Sequence, residues 1–587
     1  MSKYSMKEPL TDCLPSRGIE LECFVSLRAF ASKIVGFLAH QATSCVFKDD
    51  PNPSCNGQIM RATSLVRSAL AFSQAIRKDR LPLDELRGVP MCMNQYWWLF
   101  GVARVPGDDG GKIRLDPDAR HIVVMCRGQI YRLHVLEENS NLIIDKHELS
   151  MSLQYIVDDA HSMPTQDASK KSVGLLTTEN QKVWSRCRKV MVHEGLKNGR
   201  NFSVIDSSLF LLCLDDSSPR SRTDICMNMI CGTNLVENGV QIGTCVNRWY
   251  DKLALIVCSN GAAGMNFEHT CTDGSVDIGM ACEIYEGSIS PSEHANNGDS
   301  AASANFAATL RNGSSNADTI PAGLQKLAWD IPSEIDAALR LAETHLVDRI
   351  QQHQLQTLDF NDFGKTLMTS TGFSPDAFFQ MALHAAYYRL YNRIGSGFEP
   401  VLMRQYLHGR TDVARTTTPE AAAFARIFSD QKASTAQKVV AMHRAADTHV
   451  AIVKDCAKGL SHHRHLYVLQ QMWKRRQAFL EGVAMEPGKV GAHVHGNEEQ
   501  NPQPTTIFAD PGWSRLGTTI LMGSNVDNPS IAYAGFGPPS AEGFTVCYYI
   551  RKDHMAMTVC SRNGEAKRFI DAIKQTFQDI QVMLRYA

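Results

Sequence analysis

The stretch from Gly261 to Gly274 reads GAAGMNFEHTCTDG: an apolar alternation that ends in His269, with Asp273 and a glycine four and five residues further on. A general base needs a ring nitrogen of near-neutral pKa, held at a strand end where substrate can approach, on a turn kept rigid by a carboxylate and a glycine. The HxxxDG spacing supplies that arrangement. Strand side chains alternate with period two, so Met265, Phe267 and His269 fall on one face and the histidine continues an apolar surface. A structural histidine bonded to a carbonyl is the plainer alternative; the exit sequence HTCTDG speaks against it. Cys271 beside His269 offers a different chemistry, thiolate attack assisted by an imidazole, but neighbours two apart on a strand or turn need not meet. Two further histidine-rich stretches, SHHRHL around Arg464 and HVHG at 493–496, raise the question of a metal. Helical spacing spreads His462, His463 and His465 around the axis and HVHG lies in a polar loop, so neither offers an inward-facing ligand set. No metal site is expected.

The elements that must position this histidine alternate between helix-like runs and strands joined by tight turns. HIVVMC-RG-QIYRLHVL and LALIVCS-NG-AAGMNFEHT read as hairpins, the second fixed by its Asn260-Gly261 turn. From 288 to about 318 the chain is rich in Ser, Ala, Asn and Gly and reads as a solvated linker. Long helices follow, then strands return in FTVCYYI and MAMTVCS, and Phe569, Ile570, Ile573, Phe577 and Ile580 mark the apolar face of a closing helix. At 587 residues the chain exceeds one core, so two domains are expected. Its 44% hydrophobic and 21% charged content is that of a globular enzyme, and a formal charge of −1 gives no field to hold a nucleic-acid backbone. The 17 cysteines form no CxxC pair and sit in apolar strands, as small buried hydrophobes do in a reducing compartment. FVSLRAFASKIVGFLAH carries Arg28 and Lys33 and reads as an amphipathic helix, so no membrane-spanning segment is expected. Glu8, Asp12, Glu20 and Glu22 argue against a transit peptide, and the terminal RYA is no peroxisomal signal.

Read in order, PMCMNQYWWLFGVARVPG (90–107), NRWYDK (247–252), NFEHTCTDG (266–274), SPDAFFQMALHAAYYR (374–389), HGRTD (408–412), HRHL (463–466) and GFGP (535–538) resemble the carnitine and choline acyltransferase family. LLTTENQKVW and LFLLCLDD look most like its carnitine palmitoyltransferase II branch. The resemblance implies an α/β (α+β) fold of two chloramphenicol-acetyltransferase-like domains, each a mixed sheet packed by helices, with a tunnel at their interface. It divides the chain into a poorly recognisable segment 1–56, an N-terminal domain 57–287 bearing the catalytic histidine, a linker 288–325 and a C-terminal domain 326–587. Coenzyme A and carnitine would enter from opposite sides and meet at His269, with Asp273 ordering its loop. By the same resemblance Arg464 pairs with the carnitine carboxylate beside Thr411, while Lys365 and Asp376 contact coenzyme A. Phe536 could lie against the trimethylammonium group or be a core residue. No prosthetic group is implied, and acyl-CoA and carnitine are the expected partners of a monomer that can meet a membrane surface peripherally. The likeness also suggests mitochondria, with cytoplasm or peroxisome as alternatives.

Several positions depart from the family pattern. The Ser-Thr-Ser motif aligns with Met522-Gly523-Ser524, so only the serine that serves the oxyanion remains; Phe398 stands where a tyrosine adds a hydroxyl to the carboxylate site, and Thr369 replaces a lysine facing coenzyme A. Ala534 stands where short-chain members place a bulky methionine, which implies room for a medium or long acyl chain. The expected reaction is reversible acyl transfer between coenzyme A and the carnitine hydroxyl by direct general-base attack. The alternatives are a choline or acetyl transferase, and a degenerate member that only binds acyl-CoA.

Overall fold

The structure, a computed structural model, describes residues 43–108, 111–194, 196–290, 320–480 and 506–586. The amphipathic helix expected at 24–40, most of the expected linker and the HVHG loop lie outside the described residues.

Two mixed sheets organise these residues. The first contains β1 (Thr43–Phe47), β2 (His121–Cys126), β3 (Gln129–His134), β4 (Leu211–Asp215), β5 (Ala254–Cys258), β6 (Ala263–Phe267), β7 (Leu324–Lys326) and, from far along the chain, β12 (Ile531–Gly535). Their spatial order is β7-β3-β2-β4-β5-β6-β1-β12. Strands β2, β4, β5 and β6 are buried on both faces, which is why they read as apolar runs. One face carries α1 (Gln58–Arg77) and α2 (Gly274–Ser288); the other packs the core around Trp184, Phe202 and Trp249. Both expected hairpins form. Gly261 has φ +81°, and a Cβ there would lie 1.8 Å from the Asn56 carbonyl oxygen, so glycine alone fits that turn.

The NRWYDK block is structural. Arg248 forks onto both oxygens of Asp215 at 2.8 Å, Asp251 accepts from Arg104 at 2.7 Å and from the Trp184 indole at 2.8 Å, and the Lys252 ammonium donates to the carbonyls of Val102 and Asp206. Each buried charge is thus bonded, as burial requires. Burial pushes the Lys252 pKa down to about 7.

The second sheet contains β8 (Gln354–Phe360), β9 (Gly397–Leu402), β10 (Thr411–Arg415), β11 (Leu521–Asn525), β13 (Phe544–Ile550) and β14 (Met555–Ser561), in the order β8-β14-β13-β11-β9-β10. One face packs α5 (Pro375–Tyr391) and α8 (Ala566–Arg585), the latter through the five apolar residues expected of the closing helix. Gly523 belongs to this face: a Cβ there would meet the Gln380 amide at 2.3 Å. The opposite face turns to the first domain, where Thr357 and Thr223 share a hydrogen bond of 3.3 Å and Leu355 and Ala556 join its core.

The division by sequence position differs from the division in space. β1 falls inside segment 1–56 yet lies between β6 and β12. Helix α3 (Ser333–Gln352) follows the linker but buries Ile335, Leu339, Ala342, Leu346 and Ile350 in the first domain's core, and β12 crosses back to extend its sheet. Strand pairing joins residues hundreds of positions apart, whereas composition shifts mark only chain-local boundaries.

Candidate functional site

β6 ends at Phe267, whose ring is buried, and two residues later His269 emerges at the domain boundary with 27% of its side chain exposed. Its ring is oriented from below: Nδ1 lies 2.9 Å from Oδ2 of Asp277, which is 2% exposed on the first turn of α2. The other Asp277 oxygen accepts from Thr272 Oγ1 at 2.6 Å. Burial alone would lower the imidazole pKa; the Asp277 hydrogen bond and charge, with help from Asp273, outweigh it and the opposing charge of Arg410, so the ring titrates above the ordinary histidine range.

Asp273 does not touch the ring. It stands at the N-terminus of α2, where Oδ2 accepts from Gln95 Nε2 at 2.8 Å, Oδ1 accepts from Arg410 Nε at 2.9 Å and its backbone N–H donates to Gln95 Oε1 at 2.7 Å. Arg410 comes from the second domain and also donates to the carbonyls of Thr270 and Thr272, each at 2.9 Å. The loop bearing the histidine is therefore held from both domains. Glu268 anchors its start, accepting from Thr270 Oγ1 at 2.5 Å and lying 3.6 Å from Arg104.

Across the boundary, strand register places Thr411, Phe398, Met522 and Ser524 on the face of the second sheet that turns toward the first domain: Phe398 pairs with Met522 and Arg415, and Leu402 with Thr411. Thr411 Oγ1 donates to Asp273 at 3.4 Å, which ties it to the histidine loop. Phe398 lies four register steps from Thr411, roughly 13 Å along the ladder. Ser524 pairs with Cys547, whose thiol meets the backbone of Phe536, so Ser524 and Phe536 share a corner. Arg464 sits in the first turn of α7 (His463–Leu480); burial lowers its pKa against the raising charges of Asp412 and Asp273. Among the described residues neither its guanidinium nor the Ser524 hydroxyl makes a hydrogen bond or ion pair. Ala534 is 5% exposed and lies in one row with Cys45 and Met265, facing the core beneath α1 and α2.

Lys365 and Thr369 lie exposed one turn apart on the short helix α4 (Lys365–Ser370). Asp376, on the first turn of α5, accepts from the Tyr548 hydroxyl at 2.7 Å, and 34% of its side chain is exposed. Nε2 of buried His449, on α6 (Thr435–Ala457), lies 3.7 Å from Asp376 and 3.1 Å from Glu399. This is a group among the described residues whose donor atoms could surround a cation. Although burial opposes it, both carboxylates raise the His449 pKa to about 9.

Sequence reasoning missed Asp277, Arg410, Gln95 and the Glu399–His449 pair. An aspartate in a helix's first turn is common for dipole reasons, so Asp277 carries no distinctive signal. Arg410 lies in HGRTD, and no local pattern there points to Asp273.

With this geometry in place, comparison with known proteins assigns the chain. Residues 33–575 match the family model described as Choline/Carnitine o-acyltransferase, and the chain belongs to that family. It is an acyltransferase. It is 33% identical over 567 residues, 91% of this chain and 78% of the relative, to a protein of Saccharomyces cerevisiae named putative mitochondrial carnitine O-acetyltransferase. It is 24% identical to the mitochondrial carnitine O-palmitoyltransferase 2 of Xenopus tropicalis, over 92% of this chain and 78% of that one. Carnitine O-acetyltransferase of Mus musculus is 26% identical, over 90% and 78% respectively. Among the described residues no helix is long and apolar enough to cross a membrane.

Proposed function

We propose that the protein transfers an acyl group reversibly between coenzyme A and the hydroxyl of carnitine, with no acyl-enzyme. The observation that carries this reading is the pairing of a partly exposed histidine whose Nδ1 is occupied, and whose Nε2 is therefore the nitrogen left for substrate, with a guanidinium that has no partner among the described residues and is coupled electrostatically to the same loop. His269 Nε2 takes the proton of the carnitine hydroxyl as its oxygen bonds the thioester carbon. The Ser524 hydroxyl donates to the resulting oxyanion. The carbon–sulfur bond then breaks and Nε2–H returns its proton to the departing thiolate. Arg464, with Thr411, holds the carboxylate in the planar fork that guanidinium favours, and choline has no group to fill it. Phe536 offers its ring to the trimethylammonium group. Lys365 and Thr369 receive coenzyme A at the exposed end of α4, with Asp376 nearby.

For the acyl chain, the small side chain of Ala534 favours medium or long substrates. Acetyl transfer is the second reading, favoured by the name of the Saccharomyces cerevisiae relative and by the tight burial of Cys45, Met265 and Ala534 in one row. The mitochondrial names of two of the relatives support a mitochondrial location. Thiol release from acetyl-, octanoyl- and palmitoyl-CoA, with carnitine and separately with choline, tests these choices. Highest kcat/KM with carnitine and a chain of eight carbons or more is expected; preference for acetyl-CoA removes the Ala534 argument, and preference for choline removes the assigned role of Arg464.

A further inference from the structure

Two aspartates flank the base, four and eight residues after it, and the structure gives them different work. Asp273 has its carboxylate divided among Gln95, Arg410 and Thr411, while Asp277 spends one oxygen on Thr272 and the other on the imidazole. We propose that Asp277 is the positioning residue of the catalytic histidine: it fixes the tautomer that carries hydrogen on Nδ1 and stabilises the imidazolium formed during turnover, whereas Asp273 clamps the loop to the second domain. The proposal rests on the acyl-transfer reading for what is turned over, but the pairing itself stands on geometry.

Each part of that geometry fits the role. Asp277 is enclosed, so water does not compete for its oxygens. Its two donors are a hydroxyl and the ring, and Arg410 reaches the backbone of the same loop instead, so no guanidinium among the described residues neutralises this carboxylate and the imidazolium is its natural counter-ion. The groups facing the ring's charge are Asp277, Asp273 and Arg410. Thr272 lies in the clamped loop and bonds Asp277, which stops the carboxylate from rotating off the ring. A carboxylate held on Nδ1 while Nε2 faces substrate is the arrangement that orients an imidazole base in other acyl-transfer chemistry, where an isosteric amide leaves the geometry intact but imposes the wrong tautomer, at a cost of about 10⁴ in kcat.

The experiment compares Asp277→Asn with Asp273→Asn in the full chain. Asp277→Asn is expected to lower kcat by roughly 10²–10⁴ with acyl-CoA affinity, measured by calorimetry, unchanged. The acid limb of the kcat/KM profile should move to lower pH, because the group that raises the base's pKa has lost its charge. Asp273→Asn should lower the melting temperature and move that limb far less. Unaltered kcat and acid limb in Asp277→Asn, or the larger limb shift in Asp273→Asn, would overturn the assignment. If Asp277→Asn does not fold, the wild-type His269 ring is read directly by nitrogen-15 NMR, identified through loss of its signals in His269→Gln. Hydrogen on Nδ1 of the neutral ring and titration above the free-histidine value are expected, and the opposite tautomer or an ordinary pKa contradicts the proposal. That reading needs no turnover, so a chain that shows the NMR signature but transfers no acyl group would refute the functional reading alone.

Discussion

The two sides of the site are built in opposite ways. On the side of the first domain, His269, Asp277, Thr272, Asp273 and Gln95 are bonded to one another, and Arg410 reaches across to complete the set. On the side of the second domain, Arg464 and Ser524 have donors but no partners among the described residues. On the proposed function, the groups that would stay at fixed geometry through turnover are held by protein, and those that would receive a ligand are left open. An arginine already paired with a carboxylate would have to break that pair to bind substrate, and an imidazole without its carboxylate would have to find its tautomer anew in each cycle.

Substitutions on the open side put this contrast to a test. Ser524→Ala removes the donor proposed for the oxyanion, and kcat should fall about 10²–10³-fold with carnitine KM nearly constant; a change confined to KM would make Ser524 a binding group instead. Arg464→Asn removes the charge-assisted bond proposed to the carnitine carboxylate, worth roughly 1.5–3 kcal/mol, so KM for carnitine should rise about 10–150-fold. Choline turnover in that variant should be unaffected, and an equal loss for both acceptors would mean that Arg464 supports structure rather than carboxylate binding. Neither change should alter the melting temperature much, since neither side chain bonds the protein.

The placement of His269 at an open strand end was legible because the signals are local: an apolar strand, an abrupt polar exit and a DG turn lie within one short stretch. The Asn260-Gly261 hairpin was legible for the same reason, its positive φ demanding glycine. What escaped is non-local. Gln95 meets Asp273 across 178 positions and Arg410 across 137, and no pattern in either stretch announces the other. β12 joins β1 across nearly the whole chain, so neither the segment before residue 57 nor the passage after 530 betrays that they are neighbours in one sheet. Conversely the charges of NRWYDK, clustered in one short stretch, are bonded in the interior of the first domain.

Thiol release by wild type and His269→Ala, measured with saturating acyl-CoA and carnitine and accompanied by acyl-CoA binding, tests the central claim most directly. A fall in kcat of at least about 10²–10⁴-fold with binding preserved is predicted for the loss of a general base. A variant that binds acyl-CoA and still turns over within a few-fold of wild type would show that another group takes the proton.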